Sequence, residues 1–180
     1  MNFPQWLKDN DACEEARQWV GDRSLTLDLL RSCERADWRA WLAERLPVDH
    51  HLLVELSKDG NENVRGTVAE RLPADSPLLS ELAKDKYWGL RQQVARLLPY
   101  GHPTLVDLAR DENENVSVTA VWRLSEDHPV LVELAKTKSW FIRWTVTNRL
   151  SINNPLLAEL AKDSSLYVRK TAAARLKEKT

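Results

Sequence analysis

The sequence predicts an all-α fold of stacked helix pairs, and two observations carry that expectation. The stretch PLLSELAKDKYWGLRQQVARLLPYGH from Pro77 recurs on both sides at a fixed spacing of 26 residues. Within each copy the apolar residues fall three or four apart, the spacing of one helix face, and do not alternate as a strand requires. An internal period of this length points to a stack in which each repeat buries its apolar side against its neighbours. Copies start at residues 25, 51, 77, 103, 129 and 155, the one at Leu25 being the weakest. The expected organisation is about six two-helix repeats over residues 25–180, preceded by a helical cap over residues 1–24.

The cap carries Pro4 at a first-turn position and the segment DACEEARQWV, which sets Ala12, Ala16, Trp19 and Val20 on one helical face. A terminal repeat exposes an apolar flank, and Trp6 and Trp19 are placed to cover it. Gly21 is expected to close this helix and Ser24 to open the first repeat.

In the first helix of each repeat, helix A, the pairs Leu53/Leu56, Leu79/Leu82, Leu105/Leu108, Leu131/Leu134 and Leu157/Leu160 share one face. Pro77, Pro103, Pro129 and Pro155 suit the first helical position, with Ser76, His102, His128 and Asn154 at the N-cap. Helix B carries one buried stripe, as in Leu90, Val94, Leu98 and Ile142, Val146, Leu150. Small residues after the middle member (Ala43, Ala69, Ala95, Thr147, Ala173) allow a neighbouring helix to approach closely.

With 43% hydrophobic and 29% charged residues among 180, the chain has the composition of an ordinary soluble protein able to bury a continuous core. It contains no apolar run long enough to span a bilayer, so no membrane association is expected, and a cytoplasmic location is the default. Cys13 and Cys33 are too few for a disulfide scaffold and read as free thiols. A net charge of −1 lacks the global signature of a nucleic-acid binder.

The recurrent pattern LLxELAKDxxxxVRxxVAxRL resembles that of the variant leucine-rich repeat proteins and, more broadly, of the HEAT-like α-solenoids, over residues 25–180. The resemblance implies a right-handed superhelix of helix pairs. It also implies an aspartate before helix B and an arginine six residues later, matched by Asp59/Arg65, Asp85/Arg91 and Asp163/Arg169 and interrupted at Ser117 and Thr137. The iron–sulfur cluster of the founding variant-repeat protein needs a cysteine cluster that this chain lacks, so no cofactor is expected. The segments DACEEARQWVGDRSL and CERADWRAWLAERL look like openings of small uncharacterised bacterial and phage proteins; that resemblance names no activity, and an inhibitor or immunity-type binder would fit it and the size of the chain.

Most polar rows along the repeats have structural explanations. Lys58, Lys84, Arg110, Lys136 and Lys162 each follow an acid by three residues at a helix C-terminus, where pairing and the helix dipole both favour a cation. Arg45, Arg71, Arg123, Arg149 and Arg175 close the B helices. His50, His102 and His128 recur at one turn position. Neighbouring repeats lie about 8–10 Å apart, too far for such a row to converge on one ion, so no metal site is expected.

The outward line of helix B reads differently: Glu62, Gly66, Glu70; Trp88, Gln92, Arg96; Glu114, Val118, Trp122; Trp140, Trp144, Asn148; Leu166, Lys170, Ala174. Four tryptophans fall on it, with Phe141 and Tyr167 beside them, whereas Trp38 aligns with buried positions and packs inside. Large aromatics around the Glu114 carboxylate suit a partner surface bearing lysine or arginine, because indole faces attract cations and tryptophan dominates interface hot spots. The expected function is non-catalytic protein binding through Trp88, Gln92, Arg96, Glu114, Val118, Trp122, Trp140, Phe141, Trp144 and Tyr167, with homodimerisation as one form of it. The alternative is a HEAT-like nucleic-acid-binding protein or DNA glycosylase acting on cationic alkylated bases, with Trp88, Glu114 and Trp140 as its analogue of aromatics and a carboxylate. The acidic lining of the line weighs against nucleic acid.

Overall fold

In the computed structural model, which describes residues 2–178, the described residues form helices and turns with no strand among them. The chain divides into two compact units, Met1–Pro73 and Ala74–Thr180.

The first unit holds α1 (Phe3–Asp9), α2 (Glu14–Val20), α3 (Leu27–Ser32), α4 (Ala36–Arg45), α5 (Leu52–Leu56) and α6 (Glu62–Arg71). Its N-terminal segment is two short helices, so Ala12 lies in the turn before α2 and not on the expected common helical face. Ala12, Ala16 and Val20 are nevertheless buried. Gly21 ends α2 at φ 58°, a left-handed conformation that glycine adopts without steric cost. The first repeat opens at Thr26, two residues beyond the expected Ser24, because the Thr26 hydroxyl accepts the Leu29 N–H at 3.2 Å. Trp6 meets Trp41 edge-on at 5.7 Å and Trp19 meets Trp38 at 5.8 Å, so all four indoles pack within this unit.

The second unit stacks four helix pairs: α7 (Pro77–Leu82) with α8 (Trp88–Leu97), α9 (Thr104–Leu108) with α10 (Glu114–Arg123), α11 (Val130–Leu134) with α12 (Trp140–Arg149), and α13 (Leu156–Leu160) with α14 (Leu166–Lys177). Leu79, Leu105, Leu131 and Leu157 are buried from the A side; Leu90, Val94 and Leu98, and their counterparts in α10 and α12, are buried from the B side. Truncating such a leucine to alanine costs about 2–5 kcal/mol, depending on how far the site collapses. The B helices pack in sequence, α8 on α10, α10 on α12 and α12 on α14. Helix B ends at a leucine in extended conformation, Leu98 at ψ 144° and Leu46 at ψ 146°. Pro99 and Pro47 follow them, and proline disfavours a helical conformation in the residue before it.

Two details of the A helices differ from expectation. After Pro77, which does open α7, the helices begin one residue beyond Pro103, Pro129 and Pro155. At these three the capping nonetheless comes from the residue before the proline, whereas Ser76, at the N-cap of α7, makes no side-chain capping bond. His102 Nδ1 accepts the Thr104 N–H at 3.2 Å, His128 Nδ1 the Val130 N–H at 3.2 Å, and Asn154 Oδ1 the Leu156 N–H at 3.0 Å. His50 does the same for Leu52 at 3.3 Å in the first unit.

The aspartates and arginines before and within helix B form rungs between repeats. Arg91 donates Nη1 to the Asp85 carbonyl within its own repeat at 2.7 Å, and its Nε and Nη2 grip Asp111 of the next repeat at 2.6 and 2.8 Å. Arg143 holds Asp163 in the same way at 2.7 and 2.8 Å, and Arg39 holds Asp59 at 2.6 and 3.0 Å. Ser117 and Thr137 occupy the arginine and aspartate positions of one shared rung, so the two interruptions in sequence are a single gap in structure. There Ser117 instead bonds the Ala109 carbonyl at 2.6 Å. A second set of arginines ties helix ends together: Arg71 donates to the Leu46 carbonyl at 3.0 Å and Arg175 to the Leu150 carbonyl at 2.8 Å, while Arg123 and Arg149 reach the Leu98 and Leu124 carbonyls.

Candidate functional site

Trp88, Glu114 and Trp140 are the first residues of α8, α10 and α12, so three successive B helices present them at one level. Trp88 is 40% exposed, Trp140 46% and Trp122 41%, which for residues of this size is a large open apolar area. Tyr167, 64% exposed on α14, stacks on Trp140 with ring centres 5.1 Å apart. Glu114 is exposed, and the Ser139 hydroxyl, from the turn that opens α12, donates to its carboxylate. Trp122 lies eight positions along α10 from Glu114, about 12 Å at the rise of an α-helix, so it marks the far end of the B face. Arg96, near the end of α8, is exposed there too.

The remaining expected residues are struts. Gln92 donates Nε2 to Thr119 Oγ1 at 3.1 Å and to the Asn115 carbonyl at 3.3 Å, bridging α8 to α10. Trp144, at the equivalent place in α12, donates Nε1 to Thr171 Oγ1 on α14 at 3.1 Å. It is half-buried, and Phe141 stacks on it almost parallel, at 5.7 Å and 10°. Val118 is half-buried between them in the series. The middle position of the outward line therefore faces the next B helix, which removes Trp144 from the open aromatic set.

Other exposed groups join the surface without having been singled out from sequence. Tyr87, at the N-cap of α8, is 43% exposed and lies 6.0 Å from Trp88. Gly89 lets that ring fold back, since a methyl group there would stand 2.7 Å from Tyr87 Cε1. Leu166, the first residue of α14, is 51% exposed. Lys86 and Lys138 are exposed just before Trp88 and Trp140, and Glu112 sits at their position in the intervening repeat. The level of the B-helix starts thus alternates in charge, and the acid at its centre is Glu114.

Other aromatic rings of the chain, the half-buried Trp19, Trp38 and Trp41 and the exposed Tyr100, are treated differently. In the first unit the guanidinium of Arg23 lies over Trp19 at 5.0 Å, Arg35 over Trp38 at 4.7 Å and Arg45 over Trp41 at 4.7 Å. In the second unit Arg123 covers Tyr100 at 4.4 Å. None of the described cations takes that position over Trp88, Trp122 or Trp140.

Among the described residues no group of three or more His, Cys, Asp or Glu is placed to hold a metal, and no helix is long and apolar enough to cross a membrane. Three members of the cation row are paired with acids, and two of them locally: Lys84 meets Glu81 at 3.2 Å and Lys58 meets Glu55 at 3.6 Å. Arg110 departs from the local pattern and forks onto Glu133 of the next repeat at 2.8 Å.

No protein-family model matches the chain, and no curated protein does. Among solved structures, a leucine-rich repeat variant with a novel repetitive structural motif is similar at TM-score 0.50 and 25% identity, over 96% of this chain and 79% of that one. A designed armadillo repeat protein, solved in complex with the peptide (KR)4, is similar at TM-score 0.50 and 16% identity, over 98% of this chain and 99% of that one. Taken with the stacked helix pairs, these likenesses place the chain among the helical repeat proteins, as an α-solenoid.

Proposed function

We propose that this protein is a non-catalytic binding module that captures a protein partner through the aromatic level at the starts of α8, α10, α12 and α14, and that the partner contributes a cationic side chain, arginine foremost. The observation that carries the reading is the contrast among indoles. The half-buried Trp19, Trp38 and Trp41 each lie under an arginine of the chain itself, whereas Trp88, Trp122 and Trp140 are exposed and none of the described cations lies over them. A guanidinium stacked on an indole face gains about 0.5–2 kcal/mol, more as the pair is desolvated. Glu114 adds a carboxylate at the same level, within reach of the same ligand group.

The designed armadillo protein shares only its fold with this chain, yet its complex with (KR)4 supports the reading that a helical repeat stack can hold a peptide of alternating lysine and arginine. Binding of this kind needs no reacting group, only a rigid row of side chains, and the inter-repeat rungs supply the rigidity. An inhibitor or immunity-type role is the biological setting that fits a binder of this size.

The test is a calorimetric titration with (KR)4 at about 0.15 M salt, where weak unspecific attraction is screened. The triple variant Trp88→Ala, Trp122→Ala, Trp140→Ala should lose at least about tenfold in affinity while its helical circular dichroism stays unchanged. Equal affinity for the parent and the variant would end the proposal.

A further inference from the structure

The level at the starts of the B helices carries a charge order as well as aromatics. Lys86 and Lys138 stand two residues before Trp88 and Trp140, and Glu112 and Glu114 fill the same two places in the repeat between them. All four charged side chains are exposed. Among the described residues neither ammonium takes a carboxylate, while Glu112 lies 3.7 Å from Arg91 Nη2 at the edge of a rung. The rungs also fix these places. Arg91 Nη1 donates to the Lys86 carbonyl at 3.3 Å and Arg143 Nη1 to the Lys138 carbonyl at 2.9 Å, so both lysines project from turns pinned by an arginine. The Ser139 hydroxyl donates to Glu114 Oε1, which orients that carboxylate and leaves Oε2 for a ligand.

We propose that this level selects a partner segment in the polyproline II conformation that carries an acid, an arginine and an acid at every third residue. Such selection rests on the aromatic capture proposed above and adds to it the sequence and conformation chosen. The order of charges follows from complementarity: an acid meets Lys86, the arginine meets Glu114, and a second acid meets Lys138. A polybasic segment would bring its outer cations against the two lysines.

The conformation follows from spacing. Successive packed helices lie about 8–10 Å apart. A polyproline II helix rises about 3.1 Å per residue with three residues per turn, so side chains three apart share one face and stand about 9 Å apart. That is one ligand side chain per repeat. In a β-strand, same-face side chains are two residues and about 7 Å apart, and they fall out of step over two repeats. The intervening residues are free to be proline, whose rings suit the exposed indoles of Trp88 and Trp140.

The experiment is a calorimetric titration of the full chain with Ac-Glu-Pro-Pro-Arg-Pro-Pro-Glu-NH2 at about 0.15 M salt. This peptide should bind at least about tenfold more tightly than Ac-Lys-Pro-Pro-Arg-Pro-Pro-Lys-NH2. It should also bind about fivefold more tightly than Ac-Pro-Glu-Pro-Arg-Pro-Glu-Pro-NH2, which has the same composition with each acid moved one residue inward. Lys86→Glu combined with Lys138→Glu should reverse the preference between the glutamate-flanked and lysine-flanked peptides. No saturable binding of the first peptide, equal affinity for the two acidic peptides, or an unreversed preference in the variant would overturn the assignment. (KR)4 carries no acid, so its dependence on Trp88, Trp122 and Trp140 tests the aromatic capture separately.

Discussion

Arg143 and Asp163, 20 residues apart, meet side-on, with Nε 2.7 Å from Oδ2 and Nη2 2.8 Å from Oδ1, and both side chains almost out of water. Removing the arginine leaves the carboxylate desolvated and without its fork. Arg143→Ala should therefore cost about 3 kcal/mol in chemical denaturation. The Asp163 carboxyl lies below the usual carboxylate range, held there by the Arg143 hydrogen bonds against the opposing effect of burial. A carboxyl lowered in the folded state contributes its stabilisation fully above about pH 4, and that contribution is lost as the pH falls through the lowered value. Asp163→Asn should consequently be less stable at neutral pH and show a shallower fall in acid, measured as denaturation midpoints at pH 7 and pH 3.

Ser117 and Thr137 stand where a rung would join the fourth and fifth repeats, and both halves of it are replaced together. Ser117 is 1% exposed, so Ser117→Arg alone buries an unpaired guanidinium and should cost about 2 kcal/mol or more. Adding Thr137→Asp should recover about 1–3 kcal/mol of that as coupling in a double-mutant cycle. Additive losses would show that the rung geometry is absent at this step.

His50, His102 and His128 cap helix A with a neutral Nδ1, because only an unprotonated nitrogen can accept the backbone N–H. Burial, reinforced by the neighbouring His51, lowers the His50 value below its ordinary one. Its stabilisation is present above about pH 6.5 and is lost as the pH falls through the lowered value. His50→Asn, copying the Asn154 cap of the last repeat, should keep stability within about 1 kcal/mol at pH 7.5 and reduce the loss of melting temperature on going to pH 5.

Trp140 and Trp144 are one turn apart and should behave oppositely. Trp144→Phe breaks the bond to Thr171 and should lower stability by about 1 kcal/mol while sparing (KR)4 binding. Trp140→Ala should spare most of the stability and weaken (KR)4 binding, as read from paired melting and titration experiments.

The repeat, its two helices and the buried stripe could be read from sequence because the same leucines, valines and alanines return at each copy. The rungs are harder to read, since the arginine and aspartate of one rung belong to different copies: Arg91, six residues after Asp85, donates to the Asp85 carbonyl and forks onto the Asp111 carboxylate of the next copy. Trp88, Trp122 and Trp140 stand out because aromatics break the repeat on an outward position. Trp144 breaks it too, but its position meets the next B helix, a contact that helical periodicity within one helix does not reveal. Tyr87 was missed for a related reason: it precedes the helix, where periodicity assigns no face.

The most direct measurement labels the chain with 5-fluorotryptophan and follows its eight fluorine signals by NMR during titration with (KR)4. The account predicts that Trp88 and Trp140, with Trp122 following at higher occupancy, shift and saturate, while Trp19, Trp38 and Trp41 stay in place under their own arginines. Shifts confined to those covered indoles, or no saturable shift at all, would contradict it.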